Sequence, residues 1–155
     1  MTSQQQIAFK TTLKEKCRQL IQERIDLLRS LMNKSQETAN EETKSSAGDK
    51  YETSRAMGHL DKDMYARQLT ETSKEMASLM SIECTVTTDT VHPGNMVLCE
   101  DISYFILAGI GKIIYDGEII YVISPHAPVA KLLIGKKTGD IVTINKKSLQ
   151  IIEIL

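Results

Sequence analysis

Tryptophan is absent from this chain of 155 residues, and phenylalanine occurs only at Phe9 and Phe105. That shortage argues against a binding pocket walled by aromatic rings. No basic–aromatic stripe on which bare nucleic-acid bases would stack appears either. Cysteine is nearly as scarce. Cys17, Cys84 and Cys99 are scattered with no Cys-x-x-Cys spacing, which is not a disulfide framework and fits a reducing compartment. A zinc site can be drawn from Cys84, His92 and Cys99, but buried thiols and a surface histidine account for the same residues. Net charge is missing too: 19 Lys and Arg stand against 20 Asp and Glu, so no strong field attracts free nucleic acid. Apolar runs such as Ile119 to Ile123 are too short to cross a bilayer. The opening Thr2-Ser3-Gln4-Gln5-Gln6 has no signal-peptide core. Cytoplasm is the expected location, with no membrane partner. P-loop, Rossmann, Gly-x-Ser-x-Gly and His-Glu-x-x-His patterns are all lacking.

What is present is divided unevenly. Residues 1–82 hold 13 basic and 12 acidic side chains, and residues 83–155 hold 6 and 8. The second part carries all three prolines and six of the eight glycines. The sequence therefore predicts two domains, 1–82 and 83–155, of different construction.

In the first, no Gly or Pro interrupts Gln4 to Asn33. Ile21, Ile25, Leu28 and Met32 repeat at helical steps of four and three. A second helix is expected over Tyr51 to Ser81, with the row Met57, Leu60, Met64, Tyr65, Leu69, Met76, Leu79 and Met80. Polar Asn33 to Lys50 separates them. Two amphipathic helices joined by one polar segment bury their stripes by folding back as an antiparallel coiled-coil hairpin. Thirty residues make an arm of roughly 45 Å.

The second domain reads as an antiparallel sheet. Strands are expected at Cys84–Thr88, Met96–Leu98, Tyr104–Leu107, Glu118–Ile123, Asp140–Ile144 and Leu149–Ile154. Turn chemistry separates them at Val91–Asn95, Asp116-Gly117 and Asn145–Lys147. Pro128 to Ile134 reads as one short helix, with Pro near its start and Gly135 after its end. The fold class is thus α+β.

Chemistry concentrates where the hairpin turns. Asp49 and Glu52 stand three apart at the start of the second helix, so they share a face. A capping box explains them. So does a pair of oxygen ligands for a hard cation such as Mg²⁺, which two carboxylates alone hold weakly. Such a pair needs a partner that completes the metal shell. Lys136-Lys137 and Lys146-Lys147 are basic pairs at turns, suited to solvent or to an acidic partner.

Two segments resemble the Gre factor family of bacterial transcript-cleavage factors. One is Ser124-Pro125-His126-Ala127-Pro128-Val129-Ala130-Lys131-Leu132-Leu133-Ile134-Gly135-Lys136-Lys137-Thr138-Gly139-Asp140. It is similar to the family's Ser-Pro, short helix, Leu-Ile-Gly-Lys and Gly-Asp signature. The other is Gly48-Asp49-Lys50-Tyr51-Glu52, similar to the family's hairpin tip.

The resemblance implies an FKBP-like C-terminal domain. It also implies a factor that is not itself an enzyme: it binds the RNA polymerase secondary channel and stimulates cleavage of backtracked RNA. Asp49 and Glu52 would then help hold Mg²⁺ within the polymerase complex, with no cofactor in isolation. Ser124, Pro125, Pro128, Lys131, Lys136 and Lys137 would contact the polymerase. Nucleic acid would be met only through that partner, and the factor would act as a monomer. The family's tip usually continues Asn-Ala-Glu-Tyr, whereas Glu52 here precedes Thr53-Ser54-Arg55-Ala56. That departure keeps open a channel-binding regulator without cleavage. A peptidyl-prolyl isomerase or chaperone is the third reading, and the scarcity of aromatic residues argues against it.

Overall fold

The structure, a computed structural model, describes residues 1–42 and 48–155, without the side chains of 38–42, 48–51 and 54. Two long helices come first: α1, Ser3–Glu42, and α2, Gly48–Ser81. The strands are β1 Met96–Leu98, β2 Ser103–Ile106, β3 Gly111–Tyr115, β4 Glu118–Ile123, β5 Ile141–Ile144, β6 Lys147–Gln150 and β7 Glu153–Ile154. One short helix, α3 Pro128–Leu133, precedes β5. A helical hairpin followed by a small β domain is the α+β order that the sequence predicts. The chain forms two compact units: Met1–Gln19 with Glu75–Leu155, and Leu20–Lys74.

Within Leu20–Lys74, Leu28 and Leu31 of α1 lie beside Gln68 and Thr72 of α2. Further along, Lys62 Nζ donates to Gln36 Oε1 at 2.6 Å. The two helical segments therefore run antiparallel. Ile21, Ile25 and Leu28 are buried, as their spacing predicts.

Two expectations about these helices need correction. First, α1 does not stop at Asn33 but continues to Glu42. The extension contains Lys, Gln, Glu and Ala and no Gly or Pro, so nothing in it breaks a helix. Second, only half of the expected row of α2 faces inward. Met57, Leu60, Met64 and Met80 are exposed. Gly58, Thr72 and Leu79 are buried, and Lys62, Tyr65, Leu69 and Met76 are half-buried between them. That row steps four, three, four, three along the helix, as a coiled-coil seam requires. Tyr65, Leu69, Met76 and Leu79 lie in this row as expected, and hydrophobicity missed its other three members because they are Gly, Lys and Thr.

The other unit is built on a five-stranded sheet in the order β3-β4-β2-β1-β7. Its pairs are antiparallel except β2 with β4, which are parallel, a departure from the expected antiparallel sheet. The hairpin β3–β4 causes it: β3 takes the edge and returns β4 beside β2 in β2's direction. The hairpin closes on Asp116 and Gly117 at φ 51° and 78°, both left-handed, as a two-residue type I′ turn requires.

One sheet face presents Val97, Tyr104 and Ile106, which pack with Ala130 and Leu133 of α3 and with the β5–β6 hairpin. Tyr104 and Tyr121 stack across this face at 5.9 Å. On the α-helical roots, Lys14 Nζ donates to the Ile82 carbonyl at 2.7 Å. Glu75 Oε2 accepts the Gly109 N–H at 2.7 Å. The first bond ties α1 to the exit of α2, and the second fastens α2 to the β structure.

Cys84–Thr88 is irregular rather than the expected strand. Its polar groups bond locally instead: Glu83 Oε1 accepts the Thr85 N–H and O–H, and Thr88 donates to the Thr90 carbonyl. Such side-chain bonds compete with a sheet ladder whatever the β-propensity.

The β5–β6 hairpin turns on Asn145 and Lys146, at φ 52° and 64°. Lysine carries a Cβ into a conformation that glycine enters freely. Lys146 is exposed, so its side chain contributes little packing. Lys146→Gly is expected to raise stability by about 0.5–1 kcal/mol, read by urea denaturation. An unchanged or lowered midpoint would refute the assignment of strain.

Candidate functional site

The tip carboxylates come first. Gly48 to Glu52 forms the opening of α2. Glu52 is exposed there, while the side chain of Asp49 lies outside the described residues. The capping box expected from Asp49 and Glu52 lies outside them as well. Lys62 and Gln36 form a polar bond within the same unit, so the apolar seam does not continue unbroken toward the residues that turn the chain.

The second site is the turn around α3. Ser124 follows β4, and its hydroxyl accepts the His126 N–H at 3.2 Å. Its carbonyl accepts the Ala127 N–H, and the Ala127 carbonyl accepts the Lys131 N–H, both at 3.0 Å. Ser124 and Pro125 thus aim the chain into α3. Pro128 occupies the first turn, where its missing N–H leaves no bond unmade. Gly135, at φ 86°, reverses the chain, and its N–H meets the Val91 carbonyl at 2.9 Å. Val91 N–H returns the bond to the Lys136 carbonyl at 2.9 Å. Asp140 Oδ2 accepts the Lys137 N–H at 2.8 Å. Most of the signature segment therefore works as scaffold, with Ala130 and Leu133 anchoring it in the core. Lys131, Lys136 and Lys137 are exposed, and Leu132 beside them is half-exposed. The segment brings three cations and one apolar side chain to one surface turn.

The remaining sequence candidates do not converge. No group of three His, Cys, Asp or Glu suited to a metal occurs among the described residues. Cys84 and Cys99 are buried, while His92 is exposed with Nδ1 2.9 Å from the Thr90 carbonyl. All three cysteines are free thiols. Burial, together with neighbouring Cys84, pushes the Cys17 thiol up to about 12. Burial also raises Cys84 and Cys99. A thiol that resists ionisation is a poor nucleophile. No helix among the described residues is long and apolar enough to cross a membrane.

Fold and exposed residues together define a helical hairpin with an acidic residue near its turn, joined to a β domain that displays a basic turn. The sequence is 35% identical over 83 residues to transcription elongation factor GreA of Streptococcus agalactiae, in strains of serotypes Ia, V and III alike. The match covers 50% of this chain, and the chain spans about half (49%) of the length of these curated relatives. Over that stretch the chain is similar to GreA. A solved structure described as that of the transcription factor Gfh1 aligns with 96% of this chain and 92% of its own, at 17% identity and a TM-score of 0.33. No family model matches the sequence.

Proposed function

We propose that this chain is a transcription elongation factor that enters the secondary channel of RNA polymerase and stimulates cleavage of backtracked RNA. The likeness to GreA over half of the chain carries this reading. The hairpin supports it, because an antiparallel helical pair holds its turn residues on a stiff support. The exposed Lys131, Lys136 and Lys137 suit an acidic rim on the polymerase, with Ser124, Pro125 and Pro128 fixing the turn that presents them.

Asp49 and Glu52 would supply two carboxylates, which alone hold Mg²⁺ weakly and so suit an ion shared with the polymerase. Bound between them and the polymerase's carboxylates, Mg²⁺ would supply charge stabilisation and a more acidic water for phosphodiester hydrolysis. The residues of this chain add ligands and orientation; the hydrolytic centre is the polymerase's. The chain acts as a cytoplasmic monomer and meets nucleic acid only inside that complex.

A backtracked elongation complex should release shortened RNA faster when the protein is added. Asp49→Ala and Glu52→Ala should each lower the stimulated rate by about 10²-fold while polymerase binding persists. Rates untouched by both changes sink the assigned chemistry. Thr53 and Arg55, which follow Glu52 where the family has other residues, favour a second reading: a channel-binding regulator without cleavage. It predicts binding and altered pausing with RNA of unchanged length.

A further inference from the structure

The root of α1 belongs to the unit that holds the sheet, yet it is fastened differently from the strands. Ladders of backbone bonds join β1, β2, β3 and β4. No backbone hydrogen bond joins Met1–Gln19 to the rest of that unit among the described residues. Side chains alone hold it. Lys14 Nζ reaches the Ile82 carbonyl at 2.7 Å, and Gln6 donates to the exposed Glu153 carboxylate at 3.2 Å. Phe9 meets the Tyr115 ring edge-on at 5.6 Å, and Lys16 Nζ lies over the same ring at 5.4 Å. Leu13 and Cys17 are buried.

Into this side-chain contact the sequence places a lysine. Lys10 is fully buried, and its Nζ is the one buried side-chain nitrogen or oxygen without a hydrogen-bond partner among the described residues. Cys84 and Glu83 lie near enough to act on its charge, and neither bonds it. Whether such an amine keeps its proton or gives it up, enclosure without a partner is unfavourable. Once the root departs, water meets the amine and the penalty vanishes. A departing helix keeps its own backbone bonds, so the opening breaks side-chain contacts only.

We propose that Met1–Gln19 is a detachable strap: it lifts as a helix from the rest of its unit while the sheet stays folded, and the buried, unpartnered Lys10 sets how often. Cys17 stands seven residues beyond Lys10 and so on the same inward face of the helix. The docked strap hides its thiol, and lifting uncovers it together with Lys10 and Leu13. The inference does not depend on the role in transcription.

The test uses the full chain and its own thiol as the reporter. Alkylation of Cys17 by N-ethylmaleimide, read by peptide mass, follows lifting of the strap. The slowest-exchanging amides of β2 and β4, inner strands of the sheet, follow unfolding of the whole. With each rate divided by that of the unfolded chain, Cys17 should show an opening at least about tenfold more frequent than those amides do, and low urea should raise it far less. Lys10→Met should slow Cys17 alkylation by about 10- to 100-fold. Opening no more frequent than that of the sheet, or an equal urea slope, would overturn the proposal, because the root would then leave only with the whole fold. So would a Lys10→Met alkylation rate equal to that of wild type. Should Lys10→Met fail to fold, the wild-type frequencies and slopes still decide.

Discussion

Replacing Gly94 by Ala should destabilise the protein by more than about 4 kcal/mol, enough to abolish folding at ordinary temperature. Two causes act together. Gly94 has φ 92°, which an L side chain rarely adopts, and a Cβ built there would lie 2.1 Å from the Glu83 carbonyl oxygen. That oxygen is backbone and cannot swing aside as a side chain would. The surroundings are equally fixed. Asn95 N–H closes a turn onto the His92 carbonyl at 3.0 Å, with Pro93 and Gly94 at its corner, the residue order of a type II turn. Gly94 N–H donates to the Ile106 carbonyl at 2.7 Å. Asn95, itself buried, accepts the His92 N–H at 2.7 Å and donates to the Leu155 carbonyl at 3.0 Å. The turn therefore ties the exit from α2 to β2 and to the C-terminal strand.

A matched variant separates the two causes. Gly139 has φ 93° but nothing within 4 Å of its added Cβ. Gly139→Ala should lose only the conformational part, about 1–2 kcal/mol. Denaturation midpoints of the two variants within about 1 kcal/mol of each other would show that the contact with Glu83 is not decisive.

Much of this architecture was legible in the sequence because it follows from period and turn chemistry. Ile21, Ile25 and Leu28 lie inward because their spacing leaves a helix no other way to bury them. Asp116-Gly117 and Asn145-Lys146 turn hairpins because both central residues must enter the left-handed region. Three features were not legible. The seam of α2 contains Gly58, Lys62 and Thr72, so hydrophobicity picked out only Tyr65, Leu69, Met76 and Leu79 of it. The parallel pairing of β2 with β4 depends on where β3 goes, and propensity has no information on that. At the candidate site the reason differs again. The Ser124 to Asp140 signature was visible as a motif, but its letters do not separate scaffold from contact surface. Only bonds and exposure do: Gly135 and Asp140 close turns, while Lys131, Lys136 and Lys137 face solvent.

Lys10→Met should stabilise the protein by about 1–3 kcal/mol, against the usual expectation for a change at a fully buried position. Lys10 is 0% exposed, three residues before buried Leu13 on α1. Its Nζ has no hydrogen-bond partner among the described residues. Desolvation lowers its pKa, and nearby Cys84 and Glu83 offset this only in part. Methionine keeps the unbranched stem and removes the ammonium. The sign with pH follows from linkage. Between the lowered native value and the ordinary lysine value near 10.5, the unfolded chain binds more protons than the native one. Lys10 therefore makes stability rise with pH across that window, and its penalty is complete below it. The buried thiols act oppositely. Their raised native values, about 12 for Cys17, contribute stability at neutral pH that is lost as pH climbs past the unfolded thiol value. Wild type alone mixes both trends, whereas the difference between Lys10→Met and wild type isolates the lysine. That difference should be largest and flat at neutral pH and shrink as pH approaches 10.5, when both chains are followed by urea denaturation. A variant less stable than wild type, or an advantage that does not change with pH, would mean that the ammonium is satisfied inside the protein.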